Sequence, residues 1–180
     1  EYSIGFHTAV DTVTKALDSL QSTAASHGRA MILEVMGRDA GHIALNAGIA
    51  GGADIILIPE KEYTIDGIIK KLNEIKKNKI GHYLIIVAES VKKENGTIVL
   101  NKYNRQKRFG GIGHYIADEI MKKTEIECRV TSLGHIQRGS SPVAIDRILA
   151  SAFGVCAVDL VAQNKFNRLV AWKDRKVIDV

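Results

Sequence analysis

This 180-residue chain predicts an α/β fold: a doubly wound, mainly parallel sheet with helices on both faces. Three observations carry that expectation. Ala30–Val35, Ile55–Ile58 and Tyr83–Ala88 are short, nearly continuous apolar runs, the pattern of strands buried on both faces. Segments of helical period lie between them, and this alternation builds parallel sheets. At 46% hydrophobic residues the chain is also long enough to bury a substantial core.

Taken in order, Thr8-Ala-Val-Asp11 has the spacing of a capping box. It predicts a helix to about Ser22 with Ala9, Val10, Val13, Ala16 and Leu17 inward. The Ala30 strand follows. Ile43–Ala50 is helical in pattern and ends at the Gly51-Gly52 pair. Pro59 stops the Ile55 strand, Thr64–Lys77 forms an amphipathic helix, and the Tyr83 strand comes next. Glu94–Thr97 and the basic Lys102–Arg108 run predict one long loop with solvated charges. Ile112–Lys123 returns to helix. A strand through Arg129, a helix over Val143–Val161 and a short final strand complete the order.

Composition excludes several functional classes. The formal charge of +5 is scattered over Lys70-Lys71, Lys76-Lys77, Lys92-Lys93 and Lys122-Lys123. A nucleic-acid surface concentrates charge in a stripe beside stacking aromatics, and this chain has only one Trp, five Tyr and four Phe. No nucleic-acid partner is expected. Cys128 and Cys156 lie in apolar periodic segments without metal spacing and read as reduced core residues. No apolar run approaches membrane-spanning length and no signal peptide is visible, so no membrane partner and a cytoplasmic location are expected.

Charged residues gather around Leu133-Gly-His-Ile-Gln-Arg-Gly-Ser-Ser-Pro142: Arg129, His135, Arg138, Asp146 and Arg147. A guanidinium presents donors in a fixed fork matched to phosphate, and Pro142 suits the first turn of the helix that follows. The run is either an anion site at a helix N-terminus or an ordinary Gly/Ser turn with solvated arginines. Met36-Gly37-Arg38-Asp39 closes the Ala30 strand and Glu89 closes the Tyr83 strand. Open parallel sheets hold ligands outside the carboxyl ends of their strands, where Arg38, Glu89 and Arg138 all fall. There the arginines would hold phosphate oxygens and an ionised Glu89 would accept from sugar hydroxyls, unless Arg38 and Glu89 merely cap or pair with neighbours.

At these residues the chain becomes recognisable. Met36-Gly-Arg-Asp-Ala-Gly41, Gly51-Gly-Ala53, Pro59-Glu60, Val87-Ala-Glu89, the Leu133–Pro142 run and Asp146-Arg-Ile-Leu-Ala-Ser151 closely resemble the 6-phosphofructokinases. The resemblance runs from Tyr2 to about Val177, and Gly110-Gly-Ile-Gly-His114 is similar to the long bacterial group that uses ATP or pyrophosphate. It implies phosphoryl transfer from ATP or pyrophosphate, with Mg2+, to O1 of fructose 6-phosphate. It implies sugar-phosphate binding by Met36, Gly37 and Arg38, with Arg38 also facing the transferred phosphoryl group. Glu89 matches the hydroxyl-binding glutamate, and Arg129, His135 and Arg138 match the residues around the 6-phosphate. Arg29 and Arg129 match arginines that act across a subunit interface, so a homo-oligomer, a tetramer, is implied.

The resemblance also implies an organisation: residues 1–138 as a sugar-phosphate domain, and 139–180 as a return segment of the donor-side domain. The donor glycine loops, the Thr-Ile-Asp base segment and the Mg2+ site would lie upstream of Glu1, and a last helix beyond Val180. On this expectation the chain is a fragment without turnover of its own. The alternative is a non-catalytic sugar-phosphate-binding or regulatory module. Departures from the pattern are His7 for an aspartate and Ser140 for a second glycine. Asn78-Lys-Ile-Gly-His82 keeps one lysine of a lysine-rich effector patch, and Gln21 stands for an arginine, which implies weak effector control.

Overall fold

The computed structural model describes residues 3–78, 81–103 and 106–180. They divide into two compact units, Val10–Gly139 and a second made of Glu1–Ala9 with Ser140–Val180.

The larger unit is built on a four-stranded parallel sheet of order β2-β3-β1-β6. Its strands are β1 (Ala30–Val35), β2 (Ile55–Leu57), β3 (Tyr83–Ala88) and β6 (Cys128–Ser132), and the helices between them are α2 (His42–Ala50), α3 (Ile65–Lys77) and α4 (Ile112–Lys123). All six residues of β1 and all six of β3 are buried, as continuous apolar runs require of central parallel strands. Right-handed crossovers then put α2 on one face and α3 with α4 on the other. Contacts agree: α3 packs against α4, and Gly51 at the end of α2 lies against Leu17 of helix α1 (Phe6–His27). Ile65, Ile68, Leu72 and Ile75 turn one stripe of α3 into this core, and Thr64 caps the helix by accepting from the Gly67 amide.

Three elements depart from the sequence expectation. Helix α1 starts at Phe6 and runs on to His27, because no breaker intervenes before Gly28. The Thr8 hydroxyl donates to Asp146, far along the chain. The basic run after Val99 is no plain loop: Leu100–Tyr103 (β4) and Gln106–Phe109 (β5) pair as an antiparallel hairpin, with Leu100 opposite Phe109. Arg105 lies outside the described residues. The chain ends in a second hairpin, Val170–Lys173 (β7) with Lys176–Asp179 (β8), turned through Asp174 and Arg175, both at positive φ.

In the smaller unit α5 (Ala144–Ala162) buries Leu149 and Leu160 and leaves Ile148, Val155, Val158 and Val161 exposed. Asp146, 1% exposed, organises the unit. It accepts from the Thr8 amide at 2.8 Å and the Thr8 hydroxyl at 2.5 Å, and that hydroxyl in turn accepts from the Val143 amide at 3.1 Å. Burial alone would raise the Asp146 carboxyl, but hydrogen bonds from Thr8 and Gly5 and the nearby His7 outweigh it and hold it below the usual aspartate range. A depressed carboxyl stabilises above its unfolded value and loses that contribution as pH falls through the folded one. An Asp146→Asn change should cost about 1.5–3 kcal/mol at pH 7, typical of hydrogen bonds to a charged group, with the gap closing below about pH 4. Urea midpoints of both proteins at pH 7 and at low pH check this; a pH-independent difference would refute it.

Both cysteines are free. Cys128 is buried in β6, and burial, with the nearby Glu127 charge, pushes its thiol up to about 11, so it remains an unreactive thiol. Cys156 on α5 is only half-buried, not a core residue.

Candidate functional site

The carboxyl ends of β1, β3 and β6 open into a cleft of about 780 Å³. Met36, Arg38, Glu89, His135 and Arg138 line it, joined by Glu34, Phe109, Gly110, Gly111 and His114. Two arginines, two histidines and two glutamates thus line one cleft at the carboxyl ends of a parallel sheet.

The Met36–Arg38 turn is held from both sides. Glu89 Oε1 accepts from the Gly37 amide at 3.2 Å and the Arg38 amide at 3.0 Å. On the other side the Gln137 carboxamide bonds Met36 twice. Gly37 is required sterically, since a Cβ there would stand 2.4 Å from the Ala40 carbonyl oxygen. Arg38 adopts φ 55°, a left-handed conformation that costs a non-glycine residue on the order of 1–2 kcal/mol, and the flanking bonds offset that strain.

Glu34 shapes the opposite wall. It is 4% exposed within β1, and its carboxylate accepts from the Gly111 amide at 2.9 Å and the Gly113 amide at 2.8 Å, capping α4 with a negative charge. The cap brings Gly110, Gly111 and His114 to the cleft. Among the sequence candidates Glu34, Gln137 and His114 had no place. A carboxylate inside an apolar strand, with a Gly-rich helix start later in the chain, was the available signal for Glu34.

Other expected residues lie elsewhere. Arg29 and Arg129 share one carboxylate: Arg29 Nε is 2.6 Å from Glu127 Oε2, and Arg129 pairs with Glu127 Oε1. Neither lines the cleft. Asp146 is engaged with Thr8, and Arg147 Nε donates to the Pro142 carbonyl at 2.7 Å. The run after Leu133 forms a short 3-10 helix, Gly134–Arg138, that presents His135 and Arg138 to the cleft. Ser140 carries no positive φ, so serine at the second-glycine position introduces no strain. Among the described residues no cluster of three or more His, Cys, Asp or Glu could hold a metal ion.

The chain is thus an α/β protein with an arginine-lined cleft at the strand ends of its parallel sheet. Residues 1–161 match the family model described as phosphofructokinase, and the chain belongs to that family. Over its whole length it is 53% identical to ATP-dependent 6-phosphofructokinase 1 of Synechocystis, covering 50% of that relative. It is 44% identical to a pyrophosphate–fructose 6-phosphate 1-phosphotransferase of Amycolatopsis methanolica, covering 54% of it. The chain thus spans about half the length of the curated relatives it matches. The Saccharomyces cerevisiae phosphofructokinase structure superposes on all of the chain and 23% of its own, with a TM-score of 0.82 at 32% identity.

Proposed function

We propose that this chain forms the fructose 6-phosphate-binding half of a 6-phosphofructokinase that transfers phosphoryl from ATP or pyrophosphate to O1 of the sugar. The observation that carries the reading is the convergence of Arg38, Glu89, His135 and Arg138 in one cleft. His135 and Arg138, adjacent on the 3-10 turn, take the 6-phosphate. Glu89 has one oxygen committed to the Gly37 and Arg38 amides, and its other oxygen accepts from a sugar hydroxyl. Met36 and Gly37 bound the sugar, and Arg38 reaches the phosphoryl group in transit. Phosphoryl transfer asks little covalent chemistry of the protein, so positioning and charge neutralisation are the tasks these residues perform.

Donor binding, Mg2+ and the general base fall, in this reading, to the part of the relatives' length that the chain does not span. The same part covers the exposed apolar face of α5. Glu127 holds Arg29 and Arg129 together for a neighbouring subunit's cleft, in a cytoplasmic homotetramer. The single lysine of the effector patch, Lys79, lies outside the described residues, and weak effector control remains the expectation from sequence. Among the described residues no helix is long and apolar enough to cross a membrane.

The test is a coupled assay for fructose 1,6-bisphosphate with the full-length protein, run with ATP and then with pyrophosphate. Turnover with one of the two is expected. None with either donor overturns the reading.

A further inference from the structure

We propose that Gln137 is a positioning residue for the phosphoryl-facing arginine, acting through the backbone of the Met36–Arg38 turn; the inference rests on the reading of the cleft given above. Hydrogen bonds along β1 alternate between its two neighbours. Arg29 and Val35 accept from Tyr83 and Glu89 on the β3 side, at 3.1 and 2.9 Å. On the β6 side Ala30 donates to Glu127 at 2.9 Å and Glu34 accepts from Leu133 at 3.0 Å. Met36 is the next residue of the β6-facing series, but β6 ends at Ser132 and the chain turns into the Gly134–Arg138 helix. The rung that Met36 needs has no strand to supply it.

The Gln137 side chain supplies it. Its Oε1 accepts from the Met36 amide and its Nε2 donates to the Met36 carbonyl, both at 3.1 Å, reproducing the donor–acceptor pair of a strand residue. The residue is 3% exposed and does not line the cleft, so it acts through Met36 and not on ligand. With Glu89 taking the Gly37 and Arg38 amides, three consecutive backbone N–H groups are held by two side chains. Arg38 keeps its left-handed backbone at the end of that clamp. Because Gln137 stands between His135 and Arg138, one buried carboxamide ties the phosphate-end residues to the arginine at the reacting end.

Two substitutions in the full-length protein test this. Gln137→Met keeps length and loses both bonds; kcat should fall at least tenfold while KM for fructose 6-phosphate changes less than threefold. Gln137→Glu keeps the shape, but its ionised carboxylate can only accept, whereas a protonated carboxyl again offers one donor and one acceptor. Its kcat relative to wild type should therefore recover as pH is lowered. An unchanged kcat, an effect confined to KM, or a pH-independent deficit in folded Gln137→Glu protein would each overturn the inference. If Gln137→Met does not fold, the Gln137→Glu pH profile decides alone. Amide hydrogen exchange separates this from the functional reading: Met36, whose N–H donates to Gln137 Oε1, should be protected in wild type and lose at least tenfold protection in Gln137→Met, which removes that acceptor. Absence of wild-type turnover with either donor refutes the proposed reaction, whereas unchanged Met36 exchange refutes the clamp.

Discussion

Replacing Arg38 with alanine in the full-length protein should lower kcat by about 100-fold or more and change KM for fructose 6-phosphate only slightly. A group that neutralises charge developing in the transition state affects the rate, while ground-state binding rests on other contacts. Arg38 sits at the edge of the cleft, exposed and fixed by its backbone alone, with its guanidinium free to meet an incoming anion. Alanine resists the left-handed conformation much as arginine does, so the comparison isolates the guanidinium. Arg38→Lys should fall between the two, since lysine keeps the charge but not the planar fork. Steady-state kinetics in both substrates reads the result. A loss confined to KM would make Arg38 a ground-state sugar ligand.

Arg138→Ala should weaken fructose 6-phosphate affinity at least tenfold, with a smaller effect on kcat. Charge-assisted bonds to phosphate contribute on the order of 1.5–3 kcal/mol, and about 1.4 kcal/mol already makes a factor of ten. Arg138 is exposed on its 3-10 turn and borders the cleft, so its removal leaves no buried partner orphaned and the loss reports on ligand. An unchanged KM in that variant would remove Arg138 from the phosphate subsite. A matching loss for fructose, which lacks the phosphate, would show a general disturbance of the cleft instead.

Local pattern sufficed where the physics is local. Tyr83–Ala88 and Ile112–Lys123 fall on the expected residues, because a continuous apolar run bounded by polar turns and a periodic helix need no distant partner to be recognised. That Arg38, Glu89 and Arg138 lie at one end of the sheet was legible for a related reason: strand ends in a parallel sheet are known before the strand order is, whereas Met36 and His135 were assigned to the site by the family resemblance. Thr8 shows the opposite case. Its spacing to Asp11 mimics a capping box, but the buried Asp146 carboxylate claims its hydroxyl from 138 positions away. Gln137 likewise has no local signal, since the amide it serves lies 101 positions earlier, at Met36. The β4–β5 hairpin escaped because short polar strands lack the apolar alternation that betrays a half-buried sheet.

The bond between Thr8 and Asp146 carries a consequence for how the molecule is made. Thr8 is synthesised well before its hydrogen-bonding partner Asp146, which lies 138 positions further along the chain. At about 5–20 residues per second, Thr8 waits on the order of 7–28 s for Asp146. Meanwhile Val10–Gly139 holds every strand of its parallel sheet and can complete its core without them. The Thr8–Asp146 bond can therefore form only once the later segment has emerged. Chaperone occupancy in this interval, read by pulse labelling of nascent chains arrested before and after Asp146, would follow the closing of that one contact.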